Sequence, residues 1–325
     1  PSIVQMVFLV GGGNYLRTLF PTRNYNGHTD FLKTIQYIEG TINHQRRLRA
    51  PESHSIEING LNIHYLDYSA SSDTSKTLLL VHGIGGTAAG WHEVAQILRR
   101  DFRVLAIDQR GHGDSNHAPT GYAVTSFASD LATFAVTLNI IPYDYCGLSL
   151  GARNGIAYAG NYSDHLSHLV LLDLGPEISK AALKLGRSTR AIRKKEWNTV
   201  QQFVEDMRIE YPGAPDEYIY MRGETELTRN YDGVLVPKAD PELSRIISSL
   251  RSKEQSYLWE SWSRISCPLM VLRGDCSPYI DESIAKQMKE LQPSLHFLDV
   301  PNSNHSIPAY NSDFLVDHLR RFLLD

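Results

Sequence analysis

Two residues of this chain are well suited to covalent chemistry: Ser149, in Gly147-Leu148-Ser149-Leu150-Gly151, and His305, in Pro301-Asn-Ser-Asn-His305-Ser306. A serine hydroxyl is a weak nucleophile until a base takes its proton, and an imidazole within hydrogen-bond reach is the usual base. The G-x-S-x-G spacing suits a serine held on a sharp, strained strand-to-helix turn, with glycines where neighbouring backbone must come close. A helix opening just after the serine aims its first N–H groups at developing negative charge. The chemistry these residues allow is acyl transfer, with Ser149 attacking a carbonyl and His305 moving the proton. The run His82-Gly83-Ile84-Gly85-Gly86 can complete the site. Its glycines let backbone N–H groups converge on an oxyanion, with Ile84 and Leu150 as the expected donors. The plainer reading of that run is a turn into the helix carrying Trp91 and Val94.

Such residues meet only if a scaffold brings them together. Ser55–Tyr65 alternates around Asn59-Gly60, the pattern of a β-hairpin. Continuous apolar runs follow at Thr77–Val81, Val104–Ile107, Tyr143–Cys146, His168–Leu172, Leu269–Leu272 and Leu295–Val300. Runs of this kind read as strands buried on both faces. Helical patterns lie between them: Phe127, Leu131, Phe134 and Leu138 share one face, as do Phe314, Leu315, Leu319 and Phe322. Strand–helix alternation predicts a doubly wound, mostly parallel α/β sheet. Open sheets of this class bind ligands beyond the carboxyl ends of their strands. Ser149 and His305 both fall just past a strand.

His82-Gly83, Asp108-Gln-Arg-Gly-His-Gly-Asp-Ser115, Gly147-Leu-Ser-Leu-Gly151 and His305 together resemble the α/β-hydrolase superfamily. The resemblance covers about Ser55 to Asp325. It implies the α/β-hydrolase fold with an inserted cap, a nucleophile–acid–histidine order and no cofactor. It says little about substrate, because one fold hosts many chemistries. In most relatives the acid follows the penultimate strand, three residues after a glycine. Here that strand reads Val271-Leu-Arg-Gly274-Asp275-Cys276-Ser277, so a serine stands at the acid's position. Two carboxylates remain in contention. Asp173 ends the strand His168–Leu172, where some members of the superfamily carry the acid, and is preferred; Asp275 is the alternative, with Glu177 a distant third. Asp108 and Arg110 are expected to form an internal ion pair beside the site, and His112 to shape that loop.

Between Leu174 and Leu269 the alternation breaks for more than ninety residues. A structureless loop of that length is rare in a compact domain. The segment is expected to be a helical cap over residues 176–262. Its Trp197, Tyr211, Tyr218, Tyr220, Tyr231, Trp259 and Trp262 are expected to line an acyl or leaving-group pocket. The core would then comprise 51–175 and 263–325. Residues 1–50, with Gly11–Gly13 and the basic Arg46, Arg47 and Arg49, read as an extension without an assigned role. No Lys-Ser/Thr follows those glycines, so a phosphate loop is not supported.

Composition narrows the alternatives. With 32 Lys plus Arg against 36 Asp plus Glu, the net charge of −4 offers no footprint for nucleic acid or an anionic membrane. Cys146, Cys267 and Cys276 form no disulfide framework and are expected to be small buried hydrophobes in a reducing compartment. No CxxC or HExxH spacing points to a metal. The apolar run Ile3–Val10 is short of the about 18 residues a membrane helix needs, and it lacks a basic leader. A cytoplasmic location is the default expectation. The expected activity is hydrolysis of a small carboxylic ester or lactone through an acyl-enzyme. The rival enzyme readings are C–C bond hydrolysis and peracid formation by the same triad. A ligand receptor or scaffold is the non-enzymatic rival.

Overall fold

Strands β1 (Glu52–Ile58) and β2 (Leu61–Tyr68) pair antiparallel around Asn59-Gly60. Both turn residues have positive φ, 52° and 76°. Asn and Gly adopt that left-handed pair at little cost, and it matches strand twist. The computed structural model describes residues 50–325 apart from 71–75, 120 and 186–194. The expected extension, with Gly11–Gly13 and the arginine cluster, therefore lies outside the described residues.

The strands that follow are β3 (Thr77–Val81), β4 (Arg103–Ile107), β5 (Tyr143–Leu148), β6 (Leu166–Leu172), β7 (Leu227–Arg229), β8 (Leu235–Pro237), β9 (Leu269–Gly274) and β10 (His296–Val300). All but β7 and β8 join one sheet in the order β1-β2-β4-β3-β5-β6-β9-β10. The six from β4 to β10 run parallel. The inner ones bury on both faces as expected, whereas β10, at the sheet edge, exposes His296, Leu298 and Asp299 and departs from that expectation. In β3, Leu78 and Leu80 bury on one face while Leu79 and Val81 bury on the other.

Helices cover both faces. Helices α1 (His92–Leu98), α2 (Val124–Thr137) and α3 (Leu150–Tyr162) connect the first parallel strands. Helices α4 (Val200–Glu210), α5 (Asp216–Glu226) and α6 (Leu243–Arg264) fall between β6 and β9. Helices α7 (Glu282–Leu291), α8 (Ile307–Tyr310) and α9 (Ser312–Leu324) complete the chain. Buried residues of α2, α3, α6 and α7 pack on one face of the sheet, and those of α1 and α9 on the other. The stretch from β6 to β9 divides by packing. Trp197, Phe203, Val204, Met207, Ile219, Leu227 and Leu235 bury against one another in a small core of their own. Helix α6 instead sends Leu243, Ile247, Leu258 and Trp262 into the main core.

Several expectations are corrected by these contacts. Asp108 and Arg110 do not pair. Asp108 accepts from His64 Nδ1 at 2.7 Å and from the amides of Ala88 and Asp114 at 2.6 and 3.0 Å. Its carboxylate is thus saturated before Arg110 could reach it. Arg110 forks instead onto Asp130 with two bonds of 2.6 Å. Of the cysteines only Cys146 is buried; Cys267 is intermediate and Cys276 exposed, because Cys276 lies in the loop beyond β9 rather than in a strand.

Candidate active site

Gly147 ends the buried part of β5, and Ser149 sits between that strand and α3 with φ 54° and ψ −109°. A non-glycine residue there stores about 1–3 kcal/mol of strain and persists only when its surroundings hold it. The flanking glycines show what holds it. A Cβ on Gly147 would lie 2.6 Å from the Gly151 carbonyl carbon, and one on Gly151 would overlap the Val81 carbonyl oxygen. Only bare backbone lets α3 approach β3 and β5 so closely. Below the serine, its N–H donates to Leu172 O at 3.1 Å.

His305 lies on the loop after β10. Its Nε2 is 2.8 Å from Ser149 Oγ, and its Nδ1 is 2.7 Å from Asp173 Oδ2. A carboxylate can only accept, so Nδ1 carries the proton and Nε2 is left to accept from the serine hydroxyl. Asp173 is fully buried just past β6, also at positive φ, 53°. Its Oδ1 accepts from the Gly274 amide at 3.0 Å, and its Oδ2 also takes the Ser277 hydroxyl. The serine standing at the superfamily's usual acid position is therefore a donor to the carboxylate on the earlier strand. Asp275 is placed elsewhere. It accepts from the amides of Asn302 and Ser303 at 3.1 and 3.0 Å, which pull its carboxyl below the usual range, and it ties the histidine loop to β9. Glu177 accepts from Trp259 Nε1 at 3.3 Å. Tyr279 stacks on the imidazole, ring centroids 3.6 Å apart and planes 8° from parallel.

A cavity of about 210 Å³ opens over this group at the carboxyl edge of the sheet. Ile84 and Leu150 line it beside Ser149 and His305. Leu150 opens α3, where the first N–H groups have no intrahelical acceptor. The loop bearing Ile84 is fixed from behind. His82 Nε2 accepts from the Gln109 amide at 3.1 Å, and Nδ1 donates to Gly83 O at 2.7 Å. Burial lowers the pKa of His82 and pushes that of His112 down to about 3, so both stay neutral; their rings meet edge-on at 4.8 Å.

Of the aromatic residues expected at the pocket, Tyr211 and Tyr218 line it. Trp197 fills the small core and Trp262 the main one, while Tyr220 and Tyr231 face solvent. Sequence reasoning missed Tyr279, Arg153 and Arg222 on the cavity wall. Arg153 had a readable signal, since it stands one helical turn after Ser149 as the one charged residue of that helix. Tyr279 and Arg222 had none.

A larger cavity, about 670 Å³, lies at the amino ends of β3 to β6, lined by Lys76, Arg103, Asp144 and His168. It holds neither Ser149 nor His305, and open sheets bind ligands at the other edge. Among the described residues, His64, Asp108 and Asp114 alone bring three metal-type ligand atoms within 4.8 Å. His64 and Asp108 already bond to each other, and none of the three lines the Ser149 cavity. No described helix is long and apolar enough to cross a membrane.

Comparison with known proteins places this geometry. The family model for the alpha/beta hydrolase fold matches residues 76–217. A 2-(acetamidomethylene)succinate hydrolase of Mesorhizobium japonicum is 28% identical over 254 residues, covering 76% of this chain and 87% of its own. An N-formylmaleamate deformylase of Pseudomonas putida is 28% identical over 262 residues, covering 78% of this chain and 90% of its own. The crystal structure of an E-2-(acetamidomethylene)succinate hydrolase superposes with a TM-score of 0.77 at 24% identity, covering 85% of this chain and all of that one. With a matching family model, sheet order and nucleophile turn, this chain has the α/β-hydrolase fold.

Proposed function

We propose that this hydrolase cleaves small carboxylic esters or lactones through an acyl-enzyme, with Ser149 as nucleophile, His305 as base and acid, and Asp173 as the orienting carboxylate. The observation that carries the reading is the unbroken line of hydrogen bonds Ser149 Oγ–His305–Asp173, at 2.8 and 2.7 Å, opening into a cavity. Ser149 attacks the carbonyl carbon as His305 Nε2 takes its proton, and the amides of Ile84 and Leu150 receive the oxyanion. His305 returns the proton to the leaving alkoxide. It then takes one from water, which attacks the acyl carbon, and passes that proton to Ser149 Oγ as the acid leaves. Asp173 holds Nδ1–H in place and offsets the imidazolium charge, with Ser277 and the Gly274 amide fixing its carboxylate. Residues 176–262 act as the cap, whose Tyr211 and Tyr218 supply part of the substrate wall.

Short-chain 4-nitrophenyl esters test the reading. The chain should hydrolyse them, and Ser149→Ala should lose turnover by about 10⁴-fold or more while its circular dichroism melt is unchanged. A variant that keeps its activity removes Ser149 from the mechanism. A second reading, cleavage of an acyl–nitrogen bond by the same residues, is favoured by the relative named as a deformylase. Relative kcat/KM on an N-formyl amide and a formate ester decides between the two.

A further inference from the structure

Two guanidinium groups stand on the wall of the Ser149 cavity, Arg153 from α3 and Arg222 from α5. They differ in how much of each is already used. Arg222 forks onto Glu226 through Nε and Nη2, at 2.7 and 2.8 Å, and the Tyr211 ring covers its face at 4.5 Å. Arg153 has one acceptor only: Nη2 donates to Glu254. Its Nε and Nη1 find none among the described residues, although its side chain is only 5% exposed. Neither nitrogen is among the fully enclosed polar atoms, and Arg153 lines the cavity, so this edge is open to a ligand acceptor.

The acceptors nearby are taken. Glu254 receives the Val124 amide at 2.9 Å as well as Arg153, Glu226 is filled by Arg222, and Glu210 has partners of its own. The wall therefore has a guanidinium edge to spare, while the carboxylates beside it already hold partners. Burial lowers the pKa of Arg153, and Glu254 only partly opposes that, as expected for a cation whose charge is incompletely met.

Building on the acyl-enzyme reading of Ser149, we propose that Arg153 is a substrate-binding residue whose open edge takes a carboxylate carried by a small acyl substrate. A carboxylate supplies two anionic acceptors in one plane, the shape a guanidinium edge matches, and such charge-assisted bonds are the strong ones. The Arg153–Glu254 and Arg222–Glu226 pairs are each neutral overall and Glu210 also lines the wall, so the open guanidinium edge accommodates one carboxylate and the wall holds no surplus positive charge for a second. The cavity of about 210 Å³ keeps the substrate below the roughly 300–1,000 Å³ typical of drug-sized sites.

The test compares pentanoate with pentanamide, near-isosteric ligands that differ in charge, as inhibitors of 4-nitrophenyl acetate hydrolysis by the full chain. Pentanoate should inhibit at a concentration at least about tenfold lower, the factor one good charged hydrogen bond supplies. In Arg153→Gln the ratio should fall to near one, and in Arg153→Lys to an intermediate value. Arg153→Gln leaves Glu254 buried without its partner, so the double variant Arg153→Gln/Glu254→Gln, which removes both charges, is measured beside it and should lose the preference equally. Equal inhibition by both ligands in the unaltered chain overturns the proposal. So does a preference that survives in both variants, because the carboxylate would then sit elsewhere, for example on the oxyanion amides. If 4-nitrophenyl acetate is not hydrolysed, the acyl-enzyme reading fails separately. Calorimetric titration of Ser149→Ala with the two ligands then decides the carboxylate site by the same ratio.

Discussion

Asp173→Asn would remove one charge and one acceptor while leaving a group of the same shape beside His305. Its amide would also present N–H to a ring nitrogen that itself carries a proton, favouring the wrong tautomer. The variant should lose about 10³- to 10⁴-fold in kcat on a 4-nitrophenyl ester. Asp275→Asn should lose less than about tenfold, because its carboxylate meets the amides of Asn302 and Ser303 and the neighbouring Cys276 rather than His305. A loss confined to the second variant would transfer the acid's role to Asp275. The sequence singled out Asp173 because a side chain at the carboxyl end of β6 can face the loop after β10. It could not reveal that Ser277 bonds to the same carboxylate oxygen as His305, since that contact joins residues 104 positions apart.

At the scale of elements, the nucleophile turn depends on how closely α3 lies beneath β3. Gly151→Ala would press a methyl group into the Val81 carbonyl. Both flanks are regular structure that cannot yield independently, so the strain falls on the turn. The variant should be less stable by about 1–3 kcal/mol, by denaturant titration, and should lose turnover beyond what stability explains. Unchanged stability and turnover would mean the turn tolerates more space than the backbone contacts indicate. The inner parallel strands were legible because burial on both faces leaves an apolar run, visible without knowing any neighbour; edge strand β10, with His296, Leu298 and Asp299 exposed, does not follow that pattern. The β6–β9 stretch was far less so. Trp262 and Tyr231 look alike as large aromatic residues, yet one is wholly buried and the other fully exposed. Which it becomes depends on whether its helix docks on the main core, as α6 does against α3, and no local pattern states that. The Asp108–Arg110 expectation failed for a similar reason: adjacency in sequence favoured a pair, but His64 and Asp130 offered better partners from other elements.

Across the whole molecule, the main core and the small core around Trp197 and Phe203 share no buried side chain. Regions with few apolar contacts of their own open locally at less cost than the global fold. Amides of residues 197–237 should therefore exchange hydrogen faster than those of β3, β5 and β6. Phe203→Ala should speed exchange in that segment and leave the sheet's protection in place. Uniform protection across both regions would show that the segment opens only with the entire fold.

Covalent trapping with a fluorophosphonate tests the central claim most directly, because it asks which hydroxyl is activated without assuming a substrate. A serine is phosphonylated readily only where a base removes its proton and an oxyanion site receives the charge. Peptide mass spectrometry should find a single adduct on Ser149 in the unaltered chain, none in Ser149→Ala, and strongly slowed labelling in His305→Ala. An adduct on another residue, or equal labelling of the Ser149→Ala chain, would contradict the account.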